Sequence, residues 1–361
     1  MTMTEYNLRE HILPTSEDYG FGMDGYWLWC GSAIKGEDGL YHMFSARWSK
    51  ERPFFTGYVT SSEIVHGVSE RPEGPYTFRE VVLGDRGEEY WDGRMTHNPS
   101  IVKCRDIDGS DVYALFYIGS TYRGERPSGE VLYSGERPPC IDECYGNIRI
   151  GVAFAKSLNG PWERSDKPIF VPDPNGWDST VVTNPAPCVC PDGSVLLYYR
   201  SNTPEGLKLG VAKADNVRGG YRRMLTTHLF AKYDSVILED QFAWYTGDHY
   251  EMIAKDMNGL TCGEKFGGAH FVSPDGIHWD YAADRHAYTR LVKFTDGTER
   301  EVYHLERPNI TFIDGGEHGR IPAFFSAAYG KDGGKKQPGG GSFDVMSMSK
   351  TIVIPLDTKN L

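Results

Sequence analysis

Long hydrophobic runs are missing from this 361-residue sequence. No apolar stretch approaches the roughly 18 residues that a helix needs to cross a bilayer, so we expect no membrane partner. The first 20 residues contain neither the basic segment nor the apolar segment of a secretory signal. We therefore expect a cytoplasmic protein.

An excess of positive charge is also missing. Lysine and arginine number 38 against 50 aspartate and glutamate residues, which gives a formal net charge of −12. The basic residues form no stripe along the chain, whereas proteins that bind a phosphate backbone usually carry one. We expect no nucleic-acid partner.

Cysteines in a regular framework are absent. The seven cysteines are odd in number and scattered, which is typical of reduced thiols. Cys140 and Cys144 have a spacing that a metal could use, but no second Cys or His pair stands at the distance of a zinc site. We expect no zinc ion, and no motif implies an organic cofactor.

Helical periodicity is scarce as well. Few segments keep apolar residues at i, i+3, i+4 and i+7, whereas short apolar runs are common, and 42 Gly and 21 Pro supply turns between them. Two kinds of strand alternate: aromatic runs such as VYALFYIGS and VLLYYRS, and runs of smaller residues such as IRIGVAFAKS and LKLGVAKAD. The pattern predicts an all-β fold.

This alternation repeats five times in one order, over residues 20–83, 85–172, 175–232, 234–300 and 302–355. Five units of about four strands favour a five-bladed β-propeller that spans 1–361 as a single domain. A β-sandwich is the alternative, but a sandwich does not require a repeated order. Either the N-terminal 15 residues or the C-terminal TIVIPL would supply the strand that closes the ring.

Two segments interrupt the repeat. Residues 121–147 stand between the two strand types of the second unit, and a loop of this length is usually functional. We expect it to shape a pocket or a subunit contact and not to support the core. Residues 330–341 are rich in Gly and Lys and predict a solvated hairpin.

A carboxylate recurs six residues ahead of the entry to an aromatic strand, in WDGRMTHNPSI, WDSTVVTNPAP and the degenerate DGYWLWCGSAI. Repeats arranged around an axis deliver equivalent positions to that axis, so the pattern predicts one central site. The recurring pairs are Asp92 with Asn98, Asp178 with Asn184, and Asp24 with Cys30.

Acidic residues occupy the same region of the remaining units. In the fourth unit, counting back from the aromatic strand places Glu239 at the position that Asn184 takes in the third, and Asp240 follows it. The fifth unit contains Glu306 and Arg307 in the same region. Carboxylates that gather at an axis repel one another, so at least one should have a raised pKa. A protonated carboxyl beside an ionised one is the pair that cleaves a glycosidic bond. Nucleophile-elbow, HExxH and phosphate-binding glycine motifs are absent.

Four segments carry a family resemblance: GYWLWCGS (25–32), EYWDGRMTHNP (89–99), WDSTVVTNPAP (177–187) and EDQFAW (239–244). With its blade pattern, the chain resembles the five-bladed propeller glycosidases of glycoside hydrolase families 43 and 32, and more distantly families 117 and 130. The resemblance implies a base from the first blade, an orienting Asp from the third and an acid from the fourth. Glu239 matches the acid, whereas Cys30 and Asn184 stand where family 43 has its two Asp residues.

We therefore expect hydrolysis of a terminal glycosidic bond with inversion, a terminal L-arabinofuranoside being the first substrate that the resemblance suggests. Glu239 would be the general acid, Asp24 or Asp92 the base, and Asp178 the residue that orients and tunes the acid. The residues expected to contact the sugar are His97, Asn98, Asn184, Glu306, Arg307, Trp27, Trp29, Trp91 and Trp177.

Two other functions stay open at this point. A phosphorylase of the family 130 type would need Arg200, Arg307 and His97 to converge on a phosphate. A non-catalytic carbohydrate-binding propeller would be favoured if Glu239 lay far from the axis. A structural Ca²⁺ or Na⁺ ion in the channel and a homo-oligomer are compatible with each of these functions.

Overall fold

The computed structural model describes residues 6–233, 235–314, 320–332 and 346–358. Its strands form consecutive antiparallel sheets in which the order along the chain is also the order across the sheet. Blade 1 consists of β1 (Tyr26–Lys35), β2 (Tyr41–Ser49), β3 (Glu63–Ser69) and β4 (Thr77–Leu83). Blade 2 consists of β5 (Met95–Arg105), β6 (Asp111–Ser120), β7 (Arg149–Ala155) and β8 (Glu163–Arg164).

The remaining blades follow the same plan. Blade 3 consists of β9 (Thr183–Val189), β10 (Val195–Thr203), β11 (Gly206–Ala214) and β12 (Arg222–Arg223). Blade 4 consists of β13 (Leu238–Tyr245), β14 (Tyr250–Asp256), β15 (Gly268–Ser273) and β16 (Asp280–Tyr288). After a hairpin of β17 (Leu291–Lys293) and β18 (Glu299–Glu301), blade 5 consists of β19 (His304–Asp314), β20 (Arg320–Asp332) and β21 (Met346–Pro355).

The first strands of the blades surround one axis. Going round, β1 contacts β5, β5 contacts β9, β9 contacts β13, β13 contacts β19, and β19 contacts β1 again. Apolar side chains of neighbouring blades fill the space between the sheets, as in the clusters shared by blades 2 and 3 and by blades 4 and 5. This arrangement confirms the five-bladed β-propeller and its blade boundaries, and the β-sandwich alternative is wrong. Assignment of all residues to a single domain stays a prediction.

Both of the segments that could have closed the ring take part. TIVIPL lies in and just after β21, and the N-terminal segment runs beside it, with antiparallel bridges from Ile12 to Leu356 and from Phe21 to Thr351. The Thr15 hydroxyl donates a hydrogen bond to the Val353 carbonyl at 2.6 Å. The two ends of the described chain are therefore joined at the same blade.

Helices are few and short: α1 (Leu8–His11), α2 (Phe54–Ser61), α3 (Gly129–Tyr133) and α4 (Pro139–Gly146). None of the helices in the described ranges is long and apolar enough to cross a bilayer. α2 begins after Pro53, and the third strand of blade 1 starts only after it, at Glu63.

The insertion 121–147 forms α3 and α4 and packs against α2. Leu132, Ile141 and Cys144 are fully buried in the cluster shared by blades 2 and 3, and the Cys144 thiol donates to the Val59 carbonyl at 2.8 Å. The expectation that this segment does not support the core is therefore wrong. All seven cysteines are free thiols, as expected. The hairpin predicted at 330–341 lies mostly outside the described residues.

The recurring WD carboxylates lie inside the blades. Asp92 is fully buried and pairs with Arg86 (Nη2 to Oδ1, 2.6 Å) and Arg164 (Nη2 to Oδ2, 2.8 Å). The Tyr117 hydroxyl donates to its second oxygen at 2.7 Å. Arg164 is the last residue of β8, the outermost strand. Its contact with Asp92 therefore ties the segment before β5, the innermost strand, to the outer edge of blade 2.

Blade 3 repeats the same clamp. Asp178 is fully buried, pairs with Arg223 of β12 at 2.8 Å and is hydrogen-bonded to Tyr199. The preceding Trp177 stacks on Tyr199 and lies over Gly210, where an added Cβ would be 2.7 Å from the indole. The repeat therefore marks a structural brace, and the expected meeting of these carboxylates at the axis does not occur.

We expect Asp92→Asn to lower the free energy of unfolding by about 3 kcal/mol, because it removes the charge that two largely buried guanidinium groups share. Asp178→Asn, with one arginine partner, should cost about half as much. Urea unfolding measures both changes. Asp24→Asn is the control, since Asp24 lies exposed in the turn before β1 and should change stability by less than ~0.5 kcal/mol. An Asp92 variant as stable as the control would contradict the brace.

Candidate active site

Each innermost strand has a β-bulge at the same level, and the bulge aims one side chain at the axis. The first residue of each bulge has a left-handed backbone, a conformation that Asn and Asp tolerate better than other non-glycine residues. This requirement gives the Asn-Pro motif a physical reason. The five residues and their φ angles are Cys30 (59°), Asn98 (52°), Asn184 (54°), Asp240 (59°) and Arg307 (55°).

These five side chains form a closed hydrogen-bonded circle, which we call the axial ring. The Cys30 thiol donates to Asn98 Oδ1 at 3.0 Å, and Asn98 Nδ2 donates to Asn184 Oδ1 at 2.8 Å. Asn184 Nδ2 then donates to Asp240 Oδ1 at 2.8 Å. Arg307 Nη1 donates to the same oxygen at 3.1 Å, and a contact between Arg307 and Cys30 completes the circle.

Charge in the axial ring is concentrated on one pair. Burial raises the pKa of the Cys30 thiol, so Cys30 stays protonated and can donate. Burial, and then the negative charge of Glu239, raises the pKa of Asp240 to about 6, although Arg307 opposes the shift. The expectation that at least one axial carboxylate has a raised pKa is confirmed, and the residue is Asp240.

Glu239 lies one residue away from its predicted register. In the strand pairing, Glu239 is opposite Lys255 just as Thr183 is opposite Arg200, so Asp240, not Glu239, is equivalent to Asn184. The count from the aromatic strand missed that the turn between β13 and β14 (246–249) is one residue shorter than the turn between β9 and β10 (190–194). Glu239 consequently belongs to a second level, immediately before the axial ring.

A cavity of about 180 Å³ opens at this second level, between blades 3, 4 and 5. Its lining combines charged residues with apolar and aromatic ones. The lining residues are Arg200, Leu207, Glu239, Lys255, Met257, Phe266, Tyr303, His304 and Glu306. A smaller space of about 20 Å³ lies on the far side of the axial ring.

Lys255 joins the two glutamates of the cavity. Its Nζ lies 3.2 Å from Glu239 Oε1 and forms a shorter contact with Glu306 Oε1, which also receives His304 Nδ1 at 3.0 Å. Burial disfavours the Lys255 ammonium, but Glu306, Glu239 and Asp240 together outweigh it and raise the pKa of Lys255. Burial likewise opposes ionisation of Glu306, but Lys255 and His304 lower its pKa to about 2.

Among the residues that the structure describes, Glu239, Asp240 and Glu306 are the group that could hold a cation. One oxygen each from Glu239, Asp240 and Glu306 lie within 4.8 Å of one another, and carboxylates suit Ca²⁺. However, the Lys255 ammonium already contacts two of the three. A metal ion would have to displace a buried lysine, so the residues present do not fit a channel cation.

Of the other residues predicted to bind sugar, several lie near the axis but outside the cavity. His97 is buried, with Nδ1 2.8 Å from the Ser62 hydroxyl, and burial lowers its pKa to about 3, so its imidazole is neutral. Trp29 is also buried and packs edge-on against Phe54 and His304. Trp91 and Trp177 belong to the braces of blades 2 and 3, and Trp27 packs on Phe54.

Lys255, His304, Phe266 and Tyr303 were missed in the sequence. For Lys255 a signal existed: a lysine inside the buried run HYEMIAKD is unusual unless it is paired with acids. Phe266 and Tyr303 come from loops, whose position depends on tertiary contacts. Phe266 stands in the loop 257–267, which folds around Asp256; the Asp256 carboxylate accepts backbone N–H groups from Gly259 at 2.9 Å and from Thr261 at 2.8 Å.

Comparisons with known proteins agree with this fold. A family 117 glycoside hydrolase from the marine bacterium Zobellia galactanivorans is similar, with a TM-score of 0.64, 14% identity, and coverage of 96% of this chain and 92% of that chain. The catalytic domain of the family 62 α-L-arabinofuranosidase of Coprinopsis cinerea is also similar, with a TM-score of 0.59, 12% identity, and coverage of 96% and 97%.

A structure described under the family 130 mannoside phosphorylases, a family that contains hydrolases of β-1,2 mannosidic linkages in Candida mannan, has a TM-score of 0.54. It is 13% identical, and the match covers 91% of this chain and 84% of that chain. No family model and no curated protein sequence matches the chain. At these identities the comparisons establish the shared propeller fold.

We expect the axial ring to make stability depend on pH. Asp240 has a folded-state pKa of about 6, above its ordinary value of 3.8. The contribution of this shift to the free energy of unfolding is therefore present below about pH 4 and is lost as pH rises through 6. The stability difference between the wild type and Asp240→Asn should fall between pH 4 and 6, by at most about 1.4 kcal/mol per pH unit. Urea unfolding at pH 4, 5, 6 and 7 measures it.

Asp106→Asn is the control for this titration. Hydrogen bonds from Arg218 lower the pKa of Asp106 to about 2. The contribution of Asp106 to the free energy of unfolding is therefore lost only as pH falls below the ordinary pKa of 3.8. The difference between wild type and this variant should therefore stay flat from pH 5 to 7. A flat curve for Asp240→Asn as well would contradict the raised pKa.

Proposed function

We propose that this chain hydrolyses the glycosidic bond of a terminal sugar bound in the 180 Å³ cavity, with Glu239 as the general acid. The observation that carries the proposal is the close grouping of Glu239, Asp240 and Glu306 at the mouth of the axial ring. Two carboxyl groups in different environments are what glycoside hydrolysis requires. Several proteins with this fold are described as glycoside hydrolases, which supports the same reaction class.

Glu239 is suited to meet the leaving oxygen. Its side chain lines the cavity and is 12% exposed, whereas Asp240 points to the axial ring and is 4% exposed. Asp240 directly follows Glu239 along β13, and the negative charge of Glu239 is one cause of the raised pKa of Asp240, after burial. We therefore assign Asp240 the tuning role that the resemblance gave to Asp178, which is committed to the brace of blade 3.

Glu306 is the second carboxylate of the proposal. Lys255 and His304 hold it ionised, so it can stabilise or attack the positively charged anomeric centre. Its nearest oxygen lies within 4.8 Å of an oxygen of Glu239. Retaining enzymes have carboxyl groups roughly 5–5.5 Å apart, whereas inverting enzymes leave roughly 6.5–9.5 Å for a water.

The size of the cavity favours a single sugar ring. Its 180 Å³ is below the roughly 300 Å³ at which pockets for larger ligands begin. Phe266 and Tyr303 offer aromatic surface to the apolar face of a sugar in the same cavity as Glu239 and Glu306. A terminal L-arabinofuranoside remains the first substrate to test, because arabinofuranosidases are among the proteins with this fold.

The two alternatives receive less support. Phosphorolysis required Arg200, Arg307 and His97 to converge, but Arg307 is engaged by Asp240 in the axial ring and His97 is neutral. A non-catalytic binding propeller would be favoured by a Glu239 far from the axis, but Glu239 directly precedes an axial-ring residue.

We expect Glu239→Gln to lower kcat by at least ~100-fold, since it removes the proton donor. The fold should be kept, because Gln preserves the shape and Lys255 retains Glu306 as a partner. A screen of aryl glycosides and oligosaccharides with and without phosphate, followed by kinetics on any hit, measures the effect. Glu163→Gln, at an 80% exposed side chain, is the matched control. Equal turnover of the two variants on an unactivated substrate would remove Glu239 from the role.

The pair Glu239 and Glu306 predicts retention of anomeric configuration. The inversion expected from the sequence needed Asp24 or Asp92 as the base, but Asp24 is exposed in a turn and Asp92 is held by two arginines. Proton NMR of the first-formed product decides between the outcomes. An inverted product would show that the base lies elsewhere and that Glu306 has a supporting role.

A further inference from the structure

Arg200 occupies a distinctive place in the cavity. It lies on β10 opposite Thr183, the same position that Lys255 takes on β14 opposite Glu239. Its side chain is 11% exposed and lines the cavity beside Glu239. Blades 3 and 4 thus each contribute one cation, from equivalent strand positions, to a single cavity.

The two cations differ in how they are satisfied. Lys255 contacts two carboxylates, whereas Arg200 has Glu239 only at 3.9 Å, beyond hydrogen-bonding distance. Arg200 Nη1 donates to Asn202 Oδ1 at 2.9 Å, but its buried Nε has no hydrogen-bond partner within the described residues. Arg200 lines the cavity, and no carboxylate of the described residues lies within hydrogen-bonding distance of it, so its guanidinium group can take a charged ligand oxygen.

The orientation of Arg200 is fixed from outside the cavity. Asn202 accepts from Arg200 and donates through Nδ2 to the Tyr145 hydroxyl at 3.1 Å. Tyr145 belongs to α4 of the insertion 121–147 and packs against Phe55 of α2. Through Tyr145 and Asn202, the insertion therefore fixes the orientation of the Arg200 guanidinium group.

The charge balance changes when Glu239 carries the proton that an acid must donate. In that state Arg200 and Lys255 face a single cavity carboxylate, Glu306, which Lys255 already pairs. Asp240 and Arg307 neutralise one another in the axial ring. One positive charge, on Arg200, is then uncompensated in a mostly buried cavity, where an unpaired charge is expensive.

We propose that the terminal sugar recognised here carries an oxyanion, a carboxylate or a sulfate, which Arg200 binds. The proposal deepens the proposed function and rests on it for the role of Glu239. A bound anion supplies the charged acceptor that Arg200 lacks and restores neutrality in the reactive state.

The test uses the full-length chain and matched probes that differ in one group: D-glucuronate with D-glucose, D-galacturonate with D-galactose, galactose 6-sulfate with galactose, and inorganic phosphate alone. We expect at least one anionic sugar to bind at least ~10-fold more tightly than its neutral counterpart in calorimetric titrations, as for a charge-assisted hydrogen bond. Arg200→Gln should abolish the difference, and Arg200→Lys should restore part of it. Arg222→Gln, on an exposed arginine of β12, should leave the difference unchanged. Thermal melts confirm that each variant is folded.

The outcomes separate this inference from the proposed function. Selective anion binding that depends on Arg200 supports the inference, and it should persist in Glu239→Gln, whether or not any glycoside is cleaved. Equal binding of anionic and neutral sugars by the wild type overturns it, even if neutral glycosides are hydrolysed with Glu239. Tight binding of phosphate at Arg200 together with phosphate-dependent turnover also overturns it, because the oxyanion would then be the co-substrate of a phosphorylase.

Discussion

The axial ring is the constraint on which the rest of this structure depends. Five bulges turn five polar side chains toward one axis, where water is largely excluded and each group would be costly without a partner. The ring satisfies them mutually: hydrogen bonds run from the Cys30 thiol through two asparagines and end on Asp240, which Arg307 also contacts. Because every blade supplies one member, the hydrogen bonds fix the level of all five innermost strands relative to one another.

The position of the axial ring along the axis also determines where the proposed catalytic carboxylates lie. Glu239 and Glu306 are the residues immediately before Asp240 and Arg307, so they meet at the entrance side of the ring, and Lys255 reaches both from the second strand of blade 4. Lys255 provides the positive charge that a channel cation would otherwise supply. The carboxylates of the WD motif have a different role, since arginines from the outermost strands hold them within the blades.

Much of the fold could be predicted because its signals are local. Turn residues, aromatic runs and small-residue runs recur in one order, and each unit buries its faces against the next, so the repeat is enough to indicate a propeller. The helices of the insertion were not predictable from periodicity, since α3 and α4 are short and are stabilised mainly by burying Leu132 and Ile141 against blade 2. The site was predicted in region but not in register, because the turn between β13 and β14 is one residue shorter than the turn between β9 and β10, which only the strand pairing reveals.

By itself, the sequence determined the five-bladed propeller, the acidic character of the strand entries and the presence of Glu239 and Glu306 near the axis. Those properties follow from residue type and from repetition along the chain, which need no knowledge of distant contacts. Only the tertiary structure decided which carboxylates meet. Asp92 and Asp178 pair with partly buried arginines within their own blades, whereas Glu239, Asp240 and Glu306 converge between blades. The energetic reason is that a buried carboxylate must be paired with a cation. Which cation lies close enough depends on the tertiary fold and not on the distance along the chain.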